Sequence, residues 1–279
     1  MNIGIVGLGL IGGSLGLDLR SLGHYVIGVS RRESTCQKAI AIGSVDEASV
    51  DLSIMAGTEL IVICTPIANI LPTLEQLIPQ VSSNTVITDV GSVKAPIVQK
   101  ASSLWNNFIG GHPMAGTADS GIEAAVKNLF VKNPYVITPI DTTNPTAIAL
   151  LEEIIKQLKA IPLRCYPKTH DKAVSSISHL PVMVSASLIK TCILEADTDV
   201  AQLSKNLASS GFRDTSRVGG GNPELGIMMA KYNRQALLES LQSYQHNLEE
   251  LINLVEKEDW EQIDEYLQVT KKARPLFIK

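Results

Sequence analysis

The 279-residue chain lacks a basic excess: 24 Lys and Arg stand against 28 Asp and Glu, a formal net charge of −4 at pH 7. That balance withholds the electrostatic footprint of general nucleic-acid binding, so no nucleic-acid partner is expected. Long apolar runs are missing too. None approaches the roughly 18 to 20 residues that span a bilayer, and no membrane association is expected. No cationic leader precedes Asn2–Val6, which already reads as a strand, so no targeting segment is inferred. Cysteine is sparse: Cys36, Cys64, Cys165 and Cys192 are scattered, with no CxxC pair and no metal-ligand spacing. That pattern points to reduced thiols in the cytoplasm and to no metal site. Internal repeats and low-complexity segments are absent as well. What remains is a cytoplasmic globular protein, whose length and 45% apolar content suit one large domain or two of ordinary size.

From the start to about Tyr166, short β-rich runs alternate with helical patterns. The runs are Ile3–Val6, Tyr25–Val29, Leu60–Cys64, Thr85–Asp89, Phe108–Gly111, Tyr135–Thr138 and Leu163–Tyr166. Most are continuous in apolar residues, as strands covered on both faces are. Helical stretches lie between them at Gly12–Leu22, Ile67–Leu77, Pro96–Leu104 and Pro145–Leu158. Pro96 and Pro145 fall where a first-turn proline is tolerated, because that N–H has no intrahelical partner. The alternation predicts an α/β domain with a Rossmann-type, doubly wound parallel sheet.

Beyond Pro167 no strand is evident. Ala236–Leu237–Leu238, Leu241, Leu248, Leu251–Ile252 and Val255 recur at three- and four-residue steps, an apolar stripe on one long helix. Pro162 and Pro167 bracket the change. The predicted division is residues 1–164 as a dinucleotide-binding domain and residues 165–279 as an all-α substrate and dimerisation domain. The stripe is generous for so small a core, so part of it is expected to face a second copy of the chain in a homodimer.

The strongest local signal is GLGLIG at Gly7–Gly12, directly after the first strand and at the start of the first helix. Gly7 permits the tight turn, Gly9 lets backbone approach a pyrophosphate, and Gly12 lets helix and strand pack closely; Leu10 and Ile11 complete the loop. The first N–H groups of the helix, with the positive end of its dipole, then face the phosphates. An NAD protein would usually end its second strand in Asp or Glu, to hold the ribose 2′-hydroxyl. Here Ser30–Arg31–Arg32 stands instead. A hydroxyl and two guanidinium groups suit a 2′-phosphate, each charge-assisted bond contributing about 1.5–3 kcal/mol. The expected cofactor is therefore NADP. Cys64–Thr65–Pro66 ends the third run at the same sheet edge and is expected to line the nicotinamide side. Glu33 reads as a first-turn helix charge.

Asp89–Lys94 closes the fourth run and Gly110–Gly116 the fifth, so both converge on that crevice. His112 is read as a loop residue on the cofactor edge, a neutral imidazole suited to take a substrate hydroxyl proton. Ser92 lies one strand over. Lys94 reads equally as a polar group of the site and as a solvated charge flanking a helix. Ser178–His179–Leu180–Pro181 interrupts a helical pattern, and Gly211–Asn222 carries Arg213, Asp214 and Arg217 before three glycines. A planar guanidinium suits a carboxylate, though an Arg–Asp surface pair would also account for Arg213 and Asp214. His170–Asp171 reads as a helix start, with a role in the site as the weaker alternative. No role is read for His24 or His246.

GLGLIGGSLG, DVGSVK, GGHPMAG, SHLP and GFRDTSR occur in this order over nearly the whole chain. Together they resemble the prephenate/arogenate dehydrogenase family of tyrosine biosynthesis. The resemblance implies a Rossmann-type domain, a helical dimerisation domain and an active site between them. It implies that His112 hydrogen-bonds the ring hydroxyl and that Ser92 contacts the same hydroxyl. It further implies that Arg217 grips the ring carboxylate, while Arg213, Asp214 and His179 shape the substrate pocket. The family motif often continues His–Leu–Pro–His; Val182 stands where the second histidine would be. With the NADP-type strand end, that departure favours arogenate over prephenate as the small-molecule substrate. Two other readings stay open: another NADP-dependent oxidoreductase, of β-hydroxyacid dehydrogenase or imine reductase type, using Lys190; and a non-catalytic NADP sensor.

Overall fold

The computed structural model describes residues 1–117 and 119–278 of the chain; Lys279, the last residue of the predicted second domain, lies outside them. Eight strands among the described residues form one sheet. They are β1 (Asn2–Val6), β2 (Tyr25–Val29), β3 (Glu47–Ser49), β4 (Leu60–Ile63), β5 (Val86–Asp89), β6 (Phe108–Pro113), β7 (Pro134–Thr138) and β8 (Ile161–Arg164). Their spatial order is β3-β2-β1-β4-β5-β6-β7-β8. The chain builds outward from β1 in one direction and then returns to build from β4 in the other. The carboxyl ends of β1 and β4 thus form the topological switch point, where such sheets open a ligand crevice.

The helices of this first part are α1 (Leu10–Ser21), α2 (Glu33–Ala41), α3 (Ile67–Leu77), α4 (Ala95–Leu104) and α5 (Pro145–Gln157). Those expected from periodicity begin and end within two residues of the observed bounds. The period-two alternation explains why the strands read as continuous apolar runs. Ile3 and Ile5 of β1, with Leu60 and Val62 of β4, enter one buried cluster, while Val6, Ile61 and Ile63 enter a second. Both faces are covered, so no polar face is left to alternate.

Three features depart from the sequence reading. The short strand β3 was not expected, its Glu-Ala-Ser sequence carrying too little apolar character to register. The sheet is not wholly parallel: β7 runs antiparallel to β6, with His112 opposite Val136. Finally, β8 begins two residues before the expected run and contains Pro162, which is tolerated because β8 is an edge strand.

The remaining helices are α6 (Pro167–Val174), α7 (Leu180–Ile193), α8 (Thr198–Leu207), α9 (Ser210–Ser216), α10 (Pro223–Tyr232), α11 (Arg234–Glu256) and α12 (Trp260–Ala273). The expected break at Ser178–Pro181 is a modulation instead: α6 runs into α7 through a π-turn at Ser175–His179. Pro181 has no N–H to return to the turn before it, and a wider turn absorbs the mismatch. The continuous helical segment Pro167–Ile193 therefore reaches 27 residues, with an 18-residue window of mean hydropathy 1.3, long and apolar enough to cross a membrane by length and composition. The sequence reading, which divided this stretch, had found no such run. The chain forms two compact units, Met1–Asn233 and Arg234–Lys279. The first joins the sheet to α6–α10; the second is an α11–α12 hairpin.

Candidate active site

At the switch point the three glycines of the first loop meet different physical demands. Gly7 has φ +106°, and a Cβ there would lie 2.7 Å from the Cys64 carbonyl. A Cβ on Gly12 would collide with the Gly7 carbonyl oxygen. Gly9, the residue preceding α1, has nothing within 4 Å of the same position. Two glycines are thus required by protein packing. The third faces open space, as a cradle for a ligand backbone would. The loop is stapled to its neighbours by Gly7 N donating to Val29 O at 2.8 Å and Cys64 N donating to Val6 O at 2.7 Å. No acidic side chain occupies the first turn of α1, so its positive end is uncompensated by the helix itself. Leu10 and Ile11 are half-buried in that turn.

Ser30 follows β2 half-buried, its N–H held by Ser49 O at 3.2 Å. Arg31 and Arg32 are exposed, and neither guanidinium has a hydrogen bond or ion pair among the described residues. Glu33 lies in the first turn of α2, as expected. Cys64, Thr65 and Pro66 leave β4 beside Gly7, and Thr65 Oγ1 is buried without a partner. A buried hydroxyl without a partner is costly unless something else meets it. The open Gly9 and this unmatched hydroxyl are where a dinucleotide would supply the missing contacts.

The carboxyl ends of β5 and β6 are built differently. His112 is not a loop residue: it lies within β6 and is buried, at 9% exposure. Gly110 and Gly111 precede it because β6 is crowded. A Cβ on Gly110 would collide with Thr138 Oγ1, and one on Gly111 would lie 2.8 Å from Asp89 O. Asp89 accepts from Gly91 N at 2.9 Å, from Gly111 N at 3.3 Å and from Lys94 Nζ. Lys94 Nζ also donates to Gly111 O at 2.7 Å. Lys94 is therefore no solvated charge; it is wholly buried and ties the end of β5 to the strand that carries His112. Burial lowers its pKa, opposed by the Asp89 carboxylate. Ser92 is half-buried between these anchors, with no side-chain hydrogen bond among the described residues.

His112 Nδ1 lies 2.9 Å from His170 Nε2, the two rings meeting edge to face. His170 Nδ1 in turn lies 2.8 Å from Asp171 Oδ1. Asp171 also closes the start of α4, accepting from Lys94 N at 2.7 Å and from Ala95 N at 2.8 Å. A carboxylate 77 residues downstream thus satisfies N–H groups that the helix cannot pair itself. From the sequence His170–Asp171 reads chiefly as a helix start, with a role in the site as the weaker alternative. The link is tertiary, and no local pattern announces it. Burial pushes the His112 pKa well below the ordinary histidine value, and neighbouring His170, Lys94 and His179 add to that. Its imidazole is a neutral group.

His179 closes the π-turn and is wholly buried. Asn233, another residue that sequence reasoning missed, donates through Nδ2 to Asp171 O at 2.8 Å and lies 3.2 Å from His179 Nδ1. Nδ1 is then the acceptor, which leaves the proton on Nε2, a buried atom without a partner. Burial pushes this histidine down to about 4, against the opposing pull of Asp171. Arg213, Asp214 and Arg217 lie on and just after α9 and are exposed. Arg213 Nε meets Asp214 Oδ1 at 3.2 Å, with both side chains more than 70% exposed. Arg217 has no ion pair among the described residues. The segment is seated by Gly219, whose N–H donates to Ser185 Oγ of α7 at 2.9 Å. The structure therefore joins His112, His170, Asp171, Asn233 and His179 in one hydrogen-bonded network. Among the described residues no hydrogen bond ties Ser92 or Arg217 to it.

Comparison with known proteins adds the following. The nucleotide-binding domain of prephenate dehydrogenase matches residues 15–162, and the dimerization domain of prephenate dehydrogenase matches residues 166–269. The prephenate dehydrogenase of Bacillus subtilis is 31% identical over 277 residues, 97% of this chain and 74% of that one. Among solved structures, the arogenate dehydrogenase of Synechocystis superposes with a TM-score of 0.91 at 55% identity, covering 100% of both chains. The prephenate dehydrogenase of A. aeolicus, solved in complex with hydroxyphenyl propionate and NAD+, gives 0.93 at 26% identity, covering 99% of this chain and 98% of that one.

Proposed function

Because the chain belongs to the prephenate dehydrogenase family of oxidoreductases, we propose that it converts arogenate to tyrosine by oxidative decarboxylation, with NADP as oxidant. The observation that carries this reading is His112, a buried neutral imidazole on the crevice edge of the sheet, its Nδ1 engaged by His170 and its Nε2 left for a ligand.

The cofactor side fits a dinucleotide. Gly7, Gly9 and Gly12, with Leu10 and Ile11 in the first turn of α1, would hold the pyrophosphate. Ser30, Arg31 and Arg32 would take the 2′-phosphate, and Cys64, Thr65 and Pro66 the nicotinamide side. Bound there, the nicotinamide supplies a hydride acceptor. The chain's own residues do the rest. His112 Nε2 accepts the proton of the ring hydroxyl as hydride leaves the same carbon, which becomes a carbonyl. The bond to the ring carboxylate then breaks, CO2 departs, and the electron pair moves through the ring to that oxygen. His112 returns the proton to the phenolate, and aromatisation drives the step. Ser92 orients the hydroxyl. Arg217 holds the carboxylate by charge, since guanidinium gives up no proton at neutral pH. Arg213 and Asp214 shape that end of the pocket, and His179 offers a neutral Nε2–H donor.

Arogenate is favoured by the 55% identity to the Synechocystis arogenate dehydrogenase and by Val182 standing in place of a second histidine. The Bacillus relative, a prephenate dehydrogenase, supports prephenate as the second reading. Purified protein assayed with each acid and each cofactor, followed at the absorbance of the reduced nicotinamide, decides between them. The expected result is the highest kcat/KM with arogenate and NADP; highest kcat/KM with prephenate and NAD overturns both choices.

The active species is a cytoplasmic homodimer assembled through the helical half. Ile193, Leu194, Leu207 and Ile227 are 61–73% exposed, an apolar surface that a second copy would cover. Light scattering should give twice the 30.0 kDa chain mass.

A further inference from the structure

We infer that His170 and Asp171 are positioning residues that fix His112 in one tautomer, with the proton on Nδ1 and Nε2 bare. The inference rests on the reading of His112 as the proton acceptor and extends it to why this imidazole is oriented as a base.

Asp171 is the fixed end of the relay. Its Oδ1 accepts the backbone N–H of Lys94 and its Oδ2 that of Ala95, so both oxygens already face donors. A carboxylate so placed accepts from His170 as well, which puts a proton on His170 Nδ1. In the neutral ring the other nitrogen, Nε2, is then an acceptor. It faces His112 Nδ1 at 2.9 Å, and that bond forms only if His112 carries its proton there. His112 Nε2 is left without a proton. Each tautomer is set by the one before it, and the first is set by two backbone amides that cannot titrate.

The anchors are rigid. Asp171 is held by the start of α4, its carbonyl by Asn233, and the strand of His112 by the buried Lys94–Asp89 pair. When His112 takes up a proton, Nδ1–H keeps its bond to His170, and the Asp171 carboxylate lies one imidazole away to oppose the new charge. Burial and the Lys94 cation disfavour a charged His112 at rest; the carboxylate makes that charge attainable during turnover.

Asp171→Ala tests the chain of tautomers. It removes Oδ1, the oxygen shared by Lys94 N–H and His170 Nδ1, so nothing holds the proton on His170 Nδ1. The tautomers downstream are then no longer fixed, and His112 is free to carry its proton on Nε2, where a base cannot work. His170→Phe is the second variant: it keeps the Asp171 contacts to α4 and removes only the link. The probe is the ring-nitrogen spectrum of histidine-selectively 15N-labelled protein, in which five imidazoles are assigned by single substitutions. Expected in the wild type is a pyrrole-type Nδ1 and a pyridine-type Nε2 for His112. Expected in Asp171→Ala are signals of mixed tautomers for His112, with kcat lower by about 10²–10⁴-fold and NADP affinity unchanged by fluorescence titration. His170→Phe should give the same mixing and a comparable loss of kcat. A pyrrole-type Nε2 on His112 in the wild type overturns the inference, as does an Asp171→Ala spectrum identical to wild type. If the tautomers mix as stated and kcat does not fall, the relay stands and the reading of His112 as base is the part that fails.

Discussion

Two stretches of the same sheet edge follow opposite physical rules. At the ends of β1, β2 and β4, polar groups are left unmatched: Gly9 faces open space, Thr65 Oγ1 is buried without a partner, and Arg31 and Arg32 stand exposed and unpaired among the described residues. At the ends of β5 and β6 nearly everything is matched within the protein, from the Lys94–Asp89 pair to the chain Asp171–His170–His112. The difference follows from what we propose each stretch does. A cofactor brings its own charges, so the protein needs only complementary groups that stay free until it arrives. A proton acceptor must have one nitrogen bare before substrate arrives, and only a closed network of partners can dictate which.

The largest effect should come from the closed stretch. His112→Ala removes the proposed proton acceptor and should lower kcat by about 10²–10⁴-fold, while NADP binding stays nearly intact because none of the unmatched groups is touched. Steady-state kinetics beside a fluorescence titration separates the two. Loss of cofactor affinity equal to the loss of turnover would erase the distinction between the stretches.

This contrast also explains what was legible in the sequence. The glycine loop is local: GLGLIG, the strand before it and the helix after it are contiguous, and Gly7 and Gly12 are required by neighbours in the chain or on the adjacent strand, while Gly9 faces open space. The helical stretches and the order of strands follow from periodicity for the same reason. The histidine network is tertiary. Asp171 lies 77 residues from the amide it caps, His170 lies 58 from His112, and Asn233 lies 62 from the carbonyl it holds. None of those separations leaves a mark on local pattern. Lys94 was ambiguous for a related reason, since only the fold reveals that its chain turns inward to Asp89. His112 was misjudged as a loop residue because Gly-Gly and Pro around it imitate a turn, whereas the glycines are there to let β6 pass Thr138 and Asp89. The antiparallel return of β7 escaped notice because a strand buried on both faces reads the same in either direction.

A smaller effect should come from the open stretch. Arg31→Ala removes one charge-assisted donor from the strand end. It should shift the ratio of NADP to NAD kcat/KM towards NAD by about 10- to 150-fold, with kcat for the better cofactor little changed. The loss should shrink as ionic strength rises, because an exposed cation is screened by salt. An unchanged ratio would leave Arg31 a solvated charge and pass cofactor choice to Ser30 or Arg32.

The smallest effect concerns stability, and its sign follows from the closed stretch alone. His179 is held neutral by burial, with its pKa pushed down from 6.5 to about 4, and His112 is shifted in the same direction. Unfolded, both would take up a proton near pH 6.5. The unfolded state therefore binds more protons as pH falls through that value, and the stability contributed by keeping these rings neutral is complete above about pH 6.5 and lost progressively towards pH 4. One such site alters stability by at most about 1.4 kcal/mol per pH unit, and in a protein of this size each kcal/mol moves Tm by roughly 2–4 °C. Thermal unfolding between pH 7.5 and 4.5 should show that slope in the wild type and a shallower one in His179→Asn, which keeps a polar group beside Asn233 but cannot titrate. Parallel slopes would mean that His179 is protonated in the folded protein as readily as in the unfolded one. Its Nε2–H would then be no evidence of a ring held neutral for a ligand.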